Sequence, residues 1–134
     1  MFDILDMGAS GLTAQRTRLD TIAENLANVY TTHNAKGEKE AFKRRFVVLG
    51  SGRADDKAKA GVHVQQIKLD PAPPIPKYEP GNPDADANGY VNYPNIDMSI
   101  EYINALEASR AYEANVTMME VSKSMINASL RLIA

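Results

Sequence analysis

Apolar side chains recur at helical spacing near the start of the chain. Leucines repeat every seven positions from Leu5 to Leu26, which keeps them on one face of a helix. The members of this stripe are Leu5, Leu12, Leu19 and Leu26, supported by Ala9, Ile22 and Ala23. The pattern predicts a first helix over residues 2–28, and Asn28 suits a left-handed exit from it.

A longer helix is predicted over residues 97–133. Asp97 follows Pro94 and is a suitable N-cap, and no Gly or Pro interrupts the chain from there to Ala134. At 1.5 Å per residue the two helices would run on the order of 40 Å and 55 Å. Because these lengths exceed the diameter of a compact domain of this mass, we expect an elongated molecule.

The last helix carries two apolar stripes, whose centres lie roughly 100° apart on the helical wheel. The first has the strict 3-4 spacing of a coiled-coil seam and consists of Ala111, Ala114, Met118, Val121, Met125, Ala128 and Leu132. The second consists of Tyr112, Val116, Met119, Ile126, Leu130 and Ile133. The remaining face is polar, with Glu113, Thr117, Glu120, Ser124, Asn127 and Arg131.

One helix of the same chain can cover only one of these stripes. We expect the first stripe to pair with the first helix and the second to meet other molecules, with the reverse assignment left open. A small monomeric bundle is the alternative, but it needs further amphipathic helices, and the sequence predicts only two. An uncovered apolar strip of this length is typical of an interaction surface.

Residues 30–94 have a different pattern. Two short runs, Phe42–Leu49 and Val62–Leu69, predict strands, and the charged segment 51–61 predicts the hairpin loop between them. Residues 70–83 hold six of the 7 prolines and predict an extended segment. The expected fold is therefore mainly α. Helices 1–29 and 95–134 would form one coiled-coil-like domain, with a small proline-rich insertion at 30–94 that contains a β-hairpin.

Composition and charge narrow the function classes. The net charge is −2 with no basic stripe, which argues against nucleic acid, and the absence of cysteine excludes disulfides and thiolate metal sites. No segment reaches the roughly 20 apolar residues of a membrane span. The amino terminus carries Asp3 and Asp6 where a secretory signal has basic residues. We therefore expect a chain that stays in the cytoplasm or is exported by another route.

Candidate chemistry is sparse. The run Asp84-x-Asp86-x-Asn88-Gly89 matches the first half of an EF-hand loop, but its twelfth position is Asn95 instead of a bidentate Glu. Asp, Asn and Gly also favour turns, so a turn is the preferred interpretation. His33 and His63 lack metal-ligand spacing. The sequence predicts no catalytic, cofactor or metal site, and hence not an enzyme.

Both ends of the chain resemble a known family. The segment ASGLTAQRTRLDTIAENLANV (residues 9–29) is similar to the N-terminal signature of bacterial flagellar axial proteins, which are rod, hook and hook-associated subunits. SRAYEANVTMMEVSKSMINASLRL (109–132) resembles their C-terminal signature, and residues 77–115 are similar in particular to proximal rod subunits. The resemblance implies a structural subunit of the basal-body rod. Such subunits polymerise through their terminal helices into a torque-transmitting helical tube.

The resemblance also implies partners and a location. These are copies of the chain itself, other rod proteins and the flagellar type III export apparatus, with a final place in the periplasmic part of the basal body and no cleaved signal. The expected assembly-interface residues are Leu5, Leu12, Leu19, Ile22, Asn25, Leu26, Asn28, Arg110, Tyr112, Asn115, Val116, Met118, Met119, Val121, Met125, Ile126, Leu130 and Ile133. A soluble coiled-coil adaptor that binds a partner helix is the alternative function.

Asn25, Arg110 and Glu113 have two open interpretations each. Asn25 lies in the apolar part of the first helix, where an amide can fix register, although it could equally be an exposed helical residue. Arg110 and Glu113 are spaced i, i+3, which gives either a surface pair within the helix or a bridge to a neighbouring helix.

Overall fold

The computed structural model describes the backbone of residues 2–134 and the side chains from Asp3 onward. Two helices enclose four strands in chain order: α1 Phe2–Ala27, β1 Arg45–Ser51, β2 Val62–Leu69, β3 Ile75–Tyr78, β4 Tyr90–Tyr93 and α2 Met98–Ile133. Neither helix is long and apolar enough to cross a membrane in the part of the chain that the structure describes.

The expectation of a mainly α fold is wrong. The helices have 26 and 36 residues, together less than half of the 134-residue chain. Two antiparallel two-stranded sheets lie between them, one formed by β1 and β2 and the other by β3 and β4. The second sheet was not expected, because Pro76 lies in β3 and prolines argue against a strand. In a two-stranded sheet each strand has a free edge, which accommodates proline.

The helix ends agree only in part with the expectations. Asp97 caps α2 as predicted, since its side chain accepts hydrogen bonds from the amides of Ser99 at 2.9 Å and Ile100 at 3.4 Å. Asn28 does not leave α1 in a left-handed conformation, because the described non-glycine residues all have negative φ. Its amide instead continues the helical bonding to Glu24 O at 3.1 Å, and its Nδ2 donates to the same carbonyl.

The two helices run antiparallel, with α1 lying between α2 and the β1–β2 hairpin. Among the side chains that the structure describes, few apolar ones are buried: Ala14, Ile22, Val91, Ile96 and Ala108. Hydrogen bonds from the flank of α1 reach both strands of the hairpin, at Arg45 and at Val62. This thin core leaves most of α2 accessible on the side away from α1.

The second sheet sits against the loop that follows α1. Tyr78 and Tyr90 pair across it, with ring centroids 5.3 Å apart, and Tyr93 makes an edge contact with Tyr30 at 6.3 Å. Glu79 accepts hydrogen bonds from Asn82 Nδ2 and the Tyr93 hydroxyl. These bonds lower the pKa of Glu79, the bond from Asn82 most strongly, and the bond to Glu79 raises the pKa of Tyr93.

Candidate assembly interface

The second stripe of α2 lies on the side that meets α1, and small residues of α1 face it there. A Cβ built at Gly8 would lie 2.5 Å from Met119 Cγ, and one at Gly11 would lie 2.8 Å from Asn115 Nδ2. Glycine is therefore what allows the helix axes to approach here. Met119 and Ile126 are half-buried on this side. α1 therefore lies against the second stripe, whose members Val116, Met119 and Ile126 are half-buried, while Tyr112, Leu130 and Ile133 remain exposed.

The distal part of the first stripe is open. Val121 is 54% exposed, Met125 66% and Leu132 88%. Met118, near the middle of the stripe, is half-buried because its Cε lies over Gly8. The structure thus has the reverse of the assignment that we preferred from the sequence, and the first stripe carries the uncovered apolar surface.

The last turns of α2 have no described residue of α1 opposite them. Gly8 faces Met119, so in an antiparallel pair the described start of α1 reaches about as far as residue 125. We call residues 127–133 the α2 overhang. Within it, Leu130, Leu132 and Ile133 are 54%, 88% and 80% exposed. These side chains gain little from the fold of a single chain.

A third apolar patch lies near the start of α2 and was missed by the sequence analysis. Tyr102, Ile103 and Leu106 are all more than half exposed. At 100° per residue they lie roughly opposite the side that faces α1. Their i, i+3 and i+4 spacing was a usable signal, but the stripes were traced only from Ala111 onward. We call these three residues the proximal patch.

Asn25 fastens α1 to the hairpin. Its side chain is 1% exposed, its Nδ2 donates to Arg45 O at 2.7 Å, and its Oδ1 accepts from Arg45 N at 2.9 Å. The amide thus bonds both polar backbone groups of one strand residue, as a neighbouring strand would. Nδ2 also lies 3.3 Å from Glu101 Oε2. Of the two interpretations of Asn25, the structure has the buried one.

Glu101 joins the same cluster from α2. It is fully buried, and its Oε1 accepts a hydrogen bond from Arg44 Nε. Arg44 also lies 3.7 Å from Asp70. A buried carboxylate needs such partners, because unpaired it costs several kcal/mol. We call the cluster of Asn25, Arg44, Asp70 and Glu101 the polar junction. It links α1 and α2 to the residue before β1 and the residue after β2. The sequence analysis gave no role to Glu101 or to Arg44.

The residues expected at the interface fall into three groups. The buried ones are Ile22 and Asn25. The half-buried ones are Leu5, Leu12, Leu19, Leu26, Asn28, Asn115, Val116, Met118, Met119 and Ile126. The exposed ones are Arg110, Tyr112, Val121, Met125, Leu130 and Ile133. The leucines of α1 flank the helix contact, whose centre is formed by Gly8, Gly11 and Asn25.

The EF-hand-like run forms turns. Asp86 Oδ1 accepts from the amides of Asn88 and Tyr90, both at 2.9 Å, and Asp84 bonds Thr32 Oγ1 at 3.1 Å and lies 3.4 Å from His33 Nε2. Among residues 2–134, no three His, Cys, Asp or Glu side chains are grouped so as to hold a metal ion.

Family models match both ends of the chain. Residues 5–36 match a model described as "Flagella basal body rod protein", and residues 87–132 match "Flagellar basal body rod FlgEFG protein C-terminal". The two matches cover most of α1 and of α2, the elements that carry the stripes.

Curated relatives are similar over nearly the whole chain. The flagellar basal-body rod protein FlgC of Salmonella typhimurium is 39% identical, and the one of Escherichia coli O157:H7 is 40% identical, each with 98% of this chain and 97% of the relative covered. FlgC of Bacillus subtilis is 37% identical, also with 98% and 97% covered.

Proposed function

We propose that this chain, which belongs to the FlgC family of flagellar basal-body rod proteins and is a structural subunit of the flagellar rod, joins its neighbours through the side of α2 that α1 leaves uncovered. The observation that carries this proposal is the exposed distal half of the first stripe, with Val121, Met125 and Leu132 all more than half exposed. An apolar strip this long on one helix fits a partner helix.

The α2 overhang extends the proposed contact. Its apolar side chains project beyond the described part of α1, so a neighbouring subunit can surround them from several sides. The proximal patch is a second contact on the opposite end of the same helix. Surfaces at the two ends of one helix suit heterologous association, in which one end of each subunit meets a different surface of the next. Repeated in every subunit, such contacts generate a helical polymer that can transmit torque.

The exposed polar residues of α2 add direction to this association. Arg110 and Glu113 lie on the side away from α1, in line with the proximal patch, and both are exposed. We infer that they bridge to a neighbouring helix in the rod. Around an apolar contact, such charges contribute mainly to the choice of partner and register.

Location and export are part of the same proposal. The chain belongs to a basal-body family, and we place it in the periplasmic part of the rod, next to copies of itself and to other rod proteins. Membership of this family also supports export through the flagellar type III apparatus. We divide the chain into terminal helices (1–29 and 95–134) and an insertion (30–94). The helices would form the contacts of the polymer, and the insertion would lie outside those contacts.

The test compares two neighbouring residues of α2 in a strain that lacks the native gene. Met125→Asp places a charge on the open stripe, so the free energy of unfolding of the purified chain should stay unchanged. Cells should nevertheless lose rods and motility, because a buried unpaired charge costs several kcal/mol at every interface. Ile126→Asp should destabilise the purified chain as well, because Ile126 is half-buried toward α1.

Glu120→Lys is the control, since it changes charge on the polar face and should have a milder effect. Cellular and exported protein levels must stay normal in each variant. Motile cells with complete basal bodies carrying Val121→Asp and Met125→Asp together would contradict the proposal.

A further inference from the structure

The loop between β1 and β2, residues 52–61, folds back over the first turns of α1. Arg53 Nη1 lies 3.1 Å from Asp6 Oδ2, and the amide of Val62 donates to Ser10 Oγ at 3.2 Å. Ser10 Oγ in turn donates to Met7 O at 2.7 Å. The loop therefore contacts α1 through the Arg53–Asp6 ion pair, and the amide of Val62, the first residue of β2, adds a hydrogen bond beside it. Both contacts lie within the first three turns of the helix.

Two glycines allow this approach. Gly52 and Gly61 close the base of the loop, with Gly52 N donating to Gly61 O at 2.9 Å, and their φ angles are +87° and +144°. A Cβ at Gly61 would lie 2.9 Å from Ser10 Oγ, so a larger residue would push the loop off the helix. Arg53 is held toward α1 by a second pair, in which its Nε lies 3.1 Å from Asp55 Oδ1.

The part of α1 under this loop is the part that would be least stable as an isolated helix. Gly8 and Gly11 lower its helix propensity, and its packing partner there is the flexible Met119. The other end of α1 is fastened by the buried Asn25, which has no direct access to water. Each end thus has an ion pair to the hairpin, but only the Asn25 end also has buried hydrogen bonds to it.

We propose that residues 52–61 act as a clasp, which holds the first three turns of α1 on the hairpin and can release them while the polar junction stays closed. Leu5 and Leu12 lie within the clasped turns. The clasp thus determines whether Leu5 and Leu12 already lie on a folded helix before a neighbouring molecule binds. Because Asp6 is more than half exposed, the ion pair is weakened by salt, and the clasp responds to ionic strength.

The first test is hydrogen exchange on the full purified chain at low salt. In Arg53→Gln, amides 7–13 should exchange about two- to five-fold faster, the range expected for loss of an exposed ion pair. Arg45→Gln is the matched control, because Arg45 also pairs with α1, at 3.3 Å from Glu24, but near its other end. It should leave amides 7–13 unchanged. In 1 M salt the effect of Arg53→Gln should disappear.

The second test locks the clasp. A Cβ at Gly61 would lie 3.7 Å from Ser10 Cβ, within the range of a disulfide, and the chain has no other cysteine. In Ser10→Cys/Gly61→Cys, oxidation should slow exchange of amides 7–13 more than ten-fold and that of amides 20–27 much less. The reduced form of the same variant controls for backbone strain at Gly61.

Unchanged exchange in Arg53→Gln would overturn the proposal. So would equal slowing along all of α1 after oxidation, because the helix would then open as one unit.

Discussion

At the end of the helix pair that contains the polar junction, Asn25 and Glu101 are buried and hydrogen-bonded, whereas at the other end Met125 and Leu132 face solvent. The first end is held together by partners within the chain, and its geometry is fixed by directional bonds. The second end carries apolar surface that the described part of the chain does not cover. Under the proposed function, fold and assembly use different parts of the same two helices, so mutations should alter them separately.

The largest expected effect comes from opening the polar junction. Arg44→Met leaves the Glu101 carboxylate buried without its cation, which should lower the free energy of unfolding by about 3–5 kcal/mol. Glu101→Met should cost less, because Arg44 keeps Asp70 and partial access to water. Urea denaturation of the purified variants measures both. Equal losses of unfolding free energy in the two variants would mean that the burial of Glu101 is not the reason why stability depends on the polar junction.

Filling the space between the two helices at Gly8 should have the next largest effect on stability. Gly8→Val places a branched side chain where a Cβ alone would lie 2.5 Å from Met119 Cγ, and we expect a loss of about 1–3 kcal/mol in the free energy of unfolding. Gly81→Val is the control, since a Cβ there has no other group within 4 Å. If both variants unfold at the same urea concentration, the glycine contact does not limit the helix distance.

The α2 overhang should contribute almost nothing to the stability of the single chain. Leu132→Ser removes a side chain that is 88% exposed and should change the free energy of unfolding by less than about 0.5 kcal/mol. Ile22→Ser, in the covered part of α1, provides the contrast and should be strongly destabilising. A loss above about 1 kcal/mol for Leu132→Ser would show that the overhang is covered within the chain.

The smallest effect concerns the second sheet and its pH dependence. The pKa of Glu79 is lowered by hydrogen bonds from Asn82 and Tyr93. A lowered pKa means that the carboxylate stabilises β3–β4 above its ordinary pKa of 4.5, and that this contribution is lost as pH falls through the folded value. The ring resonances of Tyr93 should shift on acidification in the native chain and stay constant over the same range in Glu79→Gln.

Sequence reasoning was most successful where a signal is local. The helix bounds were predicted within about one residue, the strand Val62–Leu69 agrees with β2, and the Asp97 cap is confirmed. It failed for β3, because the prolines around Ile75 argue against a strand unless the partner β4 is known. It also failed for Arg44, since nothing near Arg44 in the sequence indicates a carboxylate from α2.

Which stripe α1 would cover could not be read from α2 alone. The two stripes have similar hydrophobicity, and the choice depends on where the partner helix lets the axes approach. Gly8 and Gly11 make that approach possible opposite Met119 and Asn115. In the sequence, the regular spacing of the leucines suggested that they would form the centre of the contact.

The sequence by itself determined two long amphipathic helices, more apolar surface on α2 than α1 can cover, and a resemblance at both ends that led to the rod family. These follow from periodicity, capping and motif, which depend on neighbours along the chain. Only the tertiary structure decided that Asn25 and Glu101 are buried together, and that Met125 and Leu132 are left open. Burial depends on which residues distant in sequence come into contact, and in this thin fold a glycine-lined approach and one charged junction make that choice.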